Sequence, residues 1–344
     1  MVRADKLQKK GIIMTNNVFG IDLGTSTIRI FNERTSATMV EKNMIAIENK
    51  NNVFAYGDSA FEMYEKAPDN IQVTYPLTSG VIADIKNMQI LLRYFITDVS
   101  KGNYKNAEYY IAVPTDVTEV EKRAFYDLIK DANLKPKKIM MVEKAVANGI
   151  GLGVDVKTSQ GVMVVDVGYN TTEISILSLG GIVLSKLIKT GGYKFDDAIR
   201  AAVRREYNLL IGFKTAEKLK MSLHELKQKK EKAVVYGRDI VSGLPMEREI
   251  PTELVDECLR EHFKTIIDNV KIILERTPPE LSADIYRHGL YLTGGGSLVS
   301  DFGTILANGT GLKVNVADAA VESVIDGIAE IMKNDKFKSV AYQR

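Results

Sequence analysis

The chain has 344 residues, more than the ~250–300 at which a single core stops growing, and so predicts two domains. With 45% hydrophobic and 26% charged residues it has the composition of an ordinary globular protein. Its 46 basic and 44 acidic side chains leave a net charge of +2, too little to call for nucleic acid. One cysteine, Cys258, excludes an intramolecular disulfide framework and fits a reducing compartment. His224, His262 and His288 have no metal-ligand spacing. No apolar run approaches the ~20 residues of a membrane span. The opening MVRADKLQKKGIIMTNN is basic, but its apolar patch is too short for a signal peptide. Residues 1–17 therefore read as a disordered tail, with an amphipathic membrane tether as the weaker alternative.

VFGIDLG (18–24) reads as a strand ending at Asp22 and Gly24, and the alternation of TIRIFNE after it predicts a hairpin. A mixed region rich in turn residues follows. MQILLRYFITDV (88–99) has helical spacing. YYIAVP (109–114) is a buried strand stopped by Pro114, and TDVTEVEKRAFYDLIKDAN a helix with Thr115 or Thr118 as N-cap. MVEKAVANGIG (141–151) reads as a short helix whose Ala145, Ala147 and Gly149 suit a close crossing, with Lys144 as its odd member. The stretch 161–192 holds two alternating strands and a third after Gly180-Gly181. The next hundred residues are mostly helical, interrupted by a hairpin around Ser242-Gly243. GLYLTGGG is a strand running into three glycines, SLVSDFGTILANGTG the helix after it, GLKVNVA a late strand and VESVIDGIAEIM a last helix containing Gly327.

FGIDLGTSTIRIF and VVDVGYNTTEISIL repeat one Asp-Gly hairpin a little under half the chain apart, which predicts a duplicated α/β architecture with a cleft between its halves. Turns of Gly, Thr and Ser expose several N–H groups and hydroxyls together, making anion cradles at GTST (24–27) and GYNTT (168–172). Asp22 and Asp166 would repel phosphates beside those turns unless a hard cation lay between, a role that suits Mg²⁺. One D-x-G alone is an ordinary turn; two on matching strands, with Gly294, Gly295 and Gly296 after a third, favour a nucleotide. Those three glycines let backbone approach a purine or an α-phosphate, although a ligand-free turn reads the same way. Glu217 and Lys220 share a helix face and could take ribose hydroxyls and cover the base; read alone, they are a solvated pair.

These residues together resemble the actin-like ATPase superfamily. IDLGTST is similar to its first phosphate motif, VVDVGYNTTEISILSLGGIV to its second, LTGGGSL to its adenosine motif and IGFKTAEKLK to its adenine-side helix. YGDSAFEM with YPLTSGVIAD behind it, LLRYFI and IAVPTDVTEVEKRA resemble the MreB cell-shape family within that superfamily, and the likeness runs from about Val18 to Met332. The resemblance implies two domains, each with a large and a small subdomain, around a central nucleotide cleft. Domain I would span 18–150 (small subdomain 33–85) and domain II 151–320 (small subdomain 192–255), with 321–344 a helix returning to domain I and a tail. It implies ATP or ADP with Mg²⁺, and head-to-tail protofilaments that pair antiparallel. The protein would be cytoplasmic and peripheral at the inner face of the membrane, with that surface and MreB paralogues as further candidate partners and no nucleic acid. Asp22 and Asp166 would be the metal-side carboxylates. Gly24, Thr25, Ser26, Gly168, Tyr169, Asn170 and Thr171 would hold phosphates; Glu217, Lys220, Gly294, Gly295 and Gly296 would hold the nucleoside.

The sequence departs from the family at three places. Tyr169-Asn170 stand where the second phosphate loop is usually glycine-rich. The family's apolar membrane loop falls at Asn103-Tyr104-Lys105, where only Tyr104 suits a bilayer interface. The family's crossing helix begins with two acidic residues, the second of which positions the attacking water. Here Glu143 takes the first position and Lys144 the second, a substituted catalytic position, while Thr171 keeps the other half of the water-holding pair. A helix shifted by one residue would restore Glu143 to the site. The expectation is an ATP-binding filament protein that sets cell shape, with slow hydrolysis. Alternatives are a chaperone-type or kinase-type ATPase, or a subunit that binds nucleotide without turnover. A chain read as ending at Arg344 argues against the chaperone, and no visible acceptor pocket supports a kinase.

Overall fold

The computed structural model describes residues 17–343, so the tail reading of 1–17 lies, but for Asn17, outside the described residues. The first predicted hairpin forms as β1 (Val18–Leu23) and β2 (Thr27–Asn32), extended antiparallel by β3 (Ala37–Lys42). Then comes a small sheet of β4 (Ile45–Glu48), β5 (Asn52–Tyr56) and β6 (Ile71–Thr74), with α1 (Asp58–Met63) against it. A two-stranded ribbon, β7 (Leu77–Thr78) and β8 (Val81–Ile82), leads to α2 (Ile85–Ser100), whose Asp84 cap accepts from the Asn87 amide. β9 (Glu108–Val113) is followed by α3 (Glu119–Asp131), where Thr118 is the cap and closes a capping box with Glu121. β10 (Lys138–Glu143) and α4 (Lys144–Gly151) end the first half. The predicted helix over 141–151 is thus corrected: Met141 to Glu143 are strand, paired in parallel with β9, and the helix begins at Lys144.

The second half repeats the plan. β11 (Val162–Val167), β12 (Thr172–Ser178) and β13 (Gly181–Ile188) form the meander. α5 (Gly192–Tyr207), β14 (Leu209–Leu210), α6 (Phe213–Lys229) and the hairpin of β15 (Ala233–Asp239) and β16 (Pro245–Ile250) form the smaller part. α7 (Thr252–Arg276) and α8 (Pro279–His288) lead to β17 (Leu290–Thr293), α9 (Phe302–Thr310), β18 (Val314–Val316) and α10 (Ser323–Lys333). The helix expected from Ser297 is corrected as well: Gly295–Leu298 is a 3₁₀ turn, and Asp301, in the left-handed region at φ 63°, delays α9 to Phe302.

The two large sheets have matching orders, β10-β9-β1-β2-β3 and β13-β12-β11-β17-β18, each an antiparallel meander joined to a parallel trio. Period-two alternation gives each strand two duties. Phe19, Ile21 and Leu23 enter one core, Met163, Val165 and Val167 another, while the opposite faces turn to a third core built on α4 and α10. Asp22 and Asp166 sit on those opposite faces. The small residues of α4 do serve a close crossing, and the partner is α10: a Cβ on Gly151 would lie 1.7 Å from the Ser323 carbonyl oxygen, and one on Gly327 the same distance from that of Ala147. Backbone therefore touches backbone where the two halves join. Gly327→Ala forces the helices apart, and overpacking of this kind costs about 3 kcal/mol. The expected result is a lower urea midpoint with an unchanged slope; a variant as stable as the parent would show that the crossing relaxes freely.

Candidate functional site

The carboxyl ends of the parallel strands in both sheets open on one cleft, a cavity of about 520 Å³ between the halves. The two hairpin turns face into it: Gly24, Thr25 and Ser26 from β1–β2, Gly168, Tyr169 and Thr171 from β11–β12. The first turn is pinned by Asn43, whose side-chain amide donates to the Gly24 carbonyl at 2.9 Å. Its neighbour Lys42 donates to Ser26 Oγ at 3.4 Å and also lines the cleft. The second turn is pinned to the start of α5, with the Gly192 amide on the Gly168 carbonyl at 3.0 Å. Gly294, Gly295 and Gly296 enter from β17, and Glu217 and Lys220 from α6. Gly294 is at φ 81°, and a Cβ there would lie 2.3 Å from Asp166 Oδ1. Only glycine lets this turn pass so close to the aspartate.

At the floor, the ladder sets side chain against side chain. Asp22 lies opposite Arg29 in the first hairpin, with Arg29 Nη1 3.9 Å from Asp22 Oδ2. Asp166 lies opposite Glu173 in the second. The repeat thus puts a cation across from one aspartate and an acid across from the other. Lys144, the first residue of α4, resolves the imbalance: its Nζ is 2.8 Å from Asp166 Oδ2. Burial acts to lower the Lys144 pKa, but Asp166, Asp22 and Glu173 outweigh it and hold the ammonium above its usual range. Burial raises Asp22, against the pull of Lys144 and Arg29. Burial also pushes Glu173 up to about 7 despite Lys144. Lys144 is therefore a charged, ion-paired member of the cleft floor.

Most of the residues singled out from sequence line this cleft; Glu143 and Asn170 do not. Glu143 accepts from Lys122 Nζ at 2.8 Å and from the Tyr342 hydroxyl at 2.9 Å. Asn170 donates across to Thr78 Oγ1 at 3.2 Å, which ties the second turn to the ribbon of the first half. Tyr104, the residue suited to a bilayer, packs on the first-half core, and its carbonyl accepts from the Tyr109 hydroxyl at 3.0 Å. The sequence reading missed Arg29, Lys42, Glu173 and Asp196. Alternation could have pointed to Glu173, the one charged side chain in a buried strand whose other members are apolar or small hydroxyl residues. Asp196 pairs with Lys220 at 2.7 Å, on the wall where Lys220 was expected to cover a base.

Burial raises Asp196 to about 6, even against the pull of Lys220. A carboxyl raised on folding binds its proton more tightly folded than unfolded, so its stabilising contribution is complete below pH ~4 and lost as pH rises to about 6. Asp196→Asn should therefore flatten the fall in stability between pH 4 and 6, measured as urea midpoints across that window. An unchanged slope would show that Asp196 titrates normally.

For a metal, the two aspartates at the mouths of the phosphate turns offer oxygen donors of the right hardness. No group of three or more His, Cys, Asp or Glu among the described residues could cage an ion. That donor set fits Mg²⁺ held chiefly through waters and phosphates, with Asp22 and Asp166 beside it.

The sequence profile of the MreB/Mbl protein family matches residues 16–339. The cell shape-determining protein Mbl of Bacillus subtilis is 37% identical over 321 residues, covering 92% of this chain and 95% of Mbl. The crystal structure of MreB 5 of Spiroplasma citri bound to AMPPNP matches with a TM-score of 0.88 at 34% identity, over 94% of this chain and 98% of that one. The ADP-bound structure of the same protein matches at 0.85. The MamK double helical filament, 20% identical with a TM-score of 0.77 over 93% of this chain and 99% of that one, shares the fold. The duplicated sheets, the paired Asp-Gly turns and the cleft between them are those of the actin-like ATPase fold, and the chain belongs to the MreB/Mbl family.

Proposed function

We propose that this chain is an ATP-binding, actin-like cytoskeletal subunit that polymerises head to tail and determines cell shape, with slow ATP hydrolysis. The observation that carries the reading is the convergence of both Asp-Gly turns and the Gly294–Gly296 turn on a single cleft. The turns cradle phosphates, Asp22 and Asp166 flank Mg²⁺, and the wall of Glu217 and Lys220 takes the nucleoside. Mg²⁺ would neutralise charge on the phosphates when bound. Spiroplasma citri MreB 5, which is similar over nearly the whole chain, is bound to AMPPNP in one structure and to ADP in another, which supports nucleotide binding here.

Slow turnover follows from the floor. Lys144 stands where a carboxylate would hold water, and Glu143 is engaged elsewhere by Lys122 and Tyr342. Thr171 keeps its place in the cleft. Glu173 is the nearby carboxyl able to take a proton near neutrality. Lys144 also favours a second reading, in which nucleotide is a structural ligand and is not turned over: an ammonium can hold a γ-phosphate as well as a carboxylate.

Filaments would form through a head-to-tail contact that propagates without closing, with antiparallel pairing and MreB paralogues as partners. The protein would work in the cytoplasm at the inner face of the membrane. No helix among the described residues is long and apolar enough to cross a membrane. With Tyr104 packed on the core, the loop 103–105 presents the bilayer only Asn103 and Lys105. Sedimentation with and without ATP, with phosphate release measured in parallel, tests the proposal. Pelleting above a critical concentration is expected; a protein monomeric at high concentration with ATP or ADP would overturn it.

A further inference from the structure

The two halves are bridged beside the cleft, where Tyr169 lines it, by a continuous ring of side chains. From the first half, Tyr64 packs on Tyr75 at 5.8 Å between ring centroids. Tyr75 meets Tyr169 of the second phosphate turn at 5.8 Å, and Tyr169 meets Tyr193, near the start of α5, at 5.9 Å. Tyr193 stacks on Phe213, the first residue of α6, at 4.8 Å. The circuit closes through Glu65, next to Tyr64, whose Oε2 accepts from the Phe213 amide at 2.8 Å. α6 has no side-chain cap of its own at Gly212, so its first turn is capped from across the cleft. Beside this contact, Lys214 Nζ lies 4.3 Å from the centroid of Phe61 in α1, and that ammonium makes no hydrogen bond among the described residues.

We propose that this ring is a latch at the mouth of the cleft and sets the rate at which nucleotide enters and leaves. The inference rests on the reading of the cleft as a nucleotide site. The latch joins α1 and the residues just after it to α6 by one charge-assisted hydrogen bond at an exposed site and one cation–π contact whose ammonium is buried and makes no hydrogen bond, so little holds it shut. It can therefore open without unfolding either core. Tyr169 belongs both to the ring and to the phosphate turn, so phosphates seated in the turn brace the ring from beneath. The tyrosine that crowds the usual glycine-rich loop thereby gains a use: it links what the cleft holds to whether the mouth is shut.

The test is the release of a fluorescent ATP analogue from the full chain, followed by stopped flow on chasing with excess ATP. Glu65→Ala and Lys214→Ala should each speed release and entry together, Glu65→Ala by about tenfold, the worth of one charge-assisted hydrogen bond. The equilibrium affinity should fall by less than release speeds up, because entry speeds as well and only the bracing through Tyr169 couples the latch to the bound state. Tyr169→Gly should speed release and weaken affinity as well. Unchanged rates in Glu65→Ala and Lys214→Ala, with the wild type binding the analogue, overturn the latch and leave the nucleotide reading standing. A wild type that binds no analogue overturns both.

Discussion

Lys144→Met should destabilise the protein free of nucleotide and metal by about 3–5 kcal/mol, the usual penalty for removing one partner of a buried ion pair. The size follows from the asymmetry of the two hairpins. Across from Asp22 the ladder places Arg29, but across from Asp166 it places Glu173. Without the ammonium 2.8 Å from Asp166, two acids face each other on a buried strand pair, and Glu173, already raised to about 7, has to take up a proton. Methionine keeps the length and apolar stem of the side chain, so lost packing contributes little. Mg²⁺ should recover part of the loss by supplying positive charge beside Asp22 and Asp166. Urea denaturation with EDTA and then with Mg²⁺ measures both effects. A change below about 1 kcal/mol in EDTA would show that water already screens the pair.

The fold was legible where local chemistry is self-sufficient. The helix after Pro114 was announced by Thr115 or Thr118 as its cap, and the capping box of Thr118 with Glu121, which needs only four residues, decides between them. The paired hairpins announce the duplication because alternation and turn glycines are local too. What the sequence obscured was set by contacts between distant segments. Met141 to Glu143 look helical beside the alanines after them, yet the parallel ladder with β9 makes them strand. Lys144 then becomes the first helical residue, at a strand end, aimed into the cleft. Arg29 and Glu173 were passed over because each is unremarkable alone; only the ladder shows that they occupy equivalent positions with opposite charge. The tyrosines of the mouth lie at positions 64, 75, 169 and 193 in the chain, and no spacing joins them.

The effect on chemistry should be larger still. Lys144→Glu should raise ATP-dependent phosphate release, by as much as the ~10²–10⁴-fold that a positioned acid–base group contributes. The carboxylate would stand at the first residue of α4, in the cleft that Thr171 also lines, where it can orient a water. It would also join Asp22, Asp166 and Glu173, so like charges would crowd the floor unless a cation were bound. The gain should therefore appear only with Mg²⁺, and the variant in EDTA should be less stable than Lys144→Met. Glu143→Ala should leave release unchanged, because Glu143 is held by Lys122 and Tyr342 away from the cleft. Asn170 does not obstruct the water, since its side chain is bonded to Thr78; Tyr169 stands in the aromatic ring at the mouth. Filaments of the variant should disassemble faster than those of the parent, in step with phosphate release. If instead Glu143→Ala abolished turnover while Lys144→Glu changed nothing, the water would be held by Glu143, and the ion pair of Lys144 with Asp166 would serve stability alone.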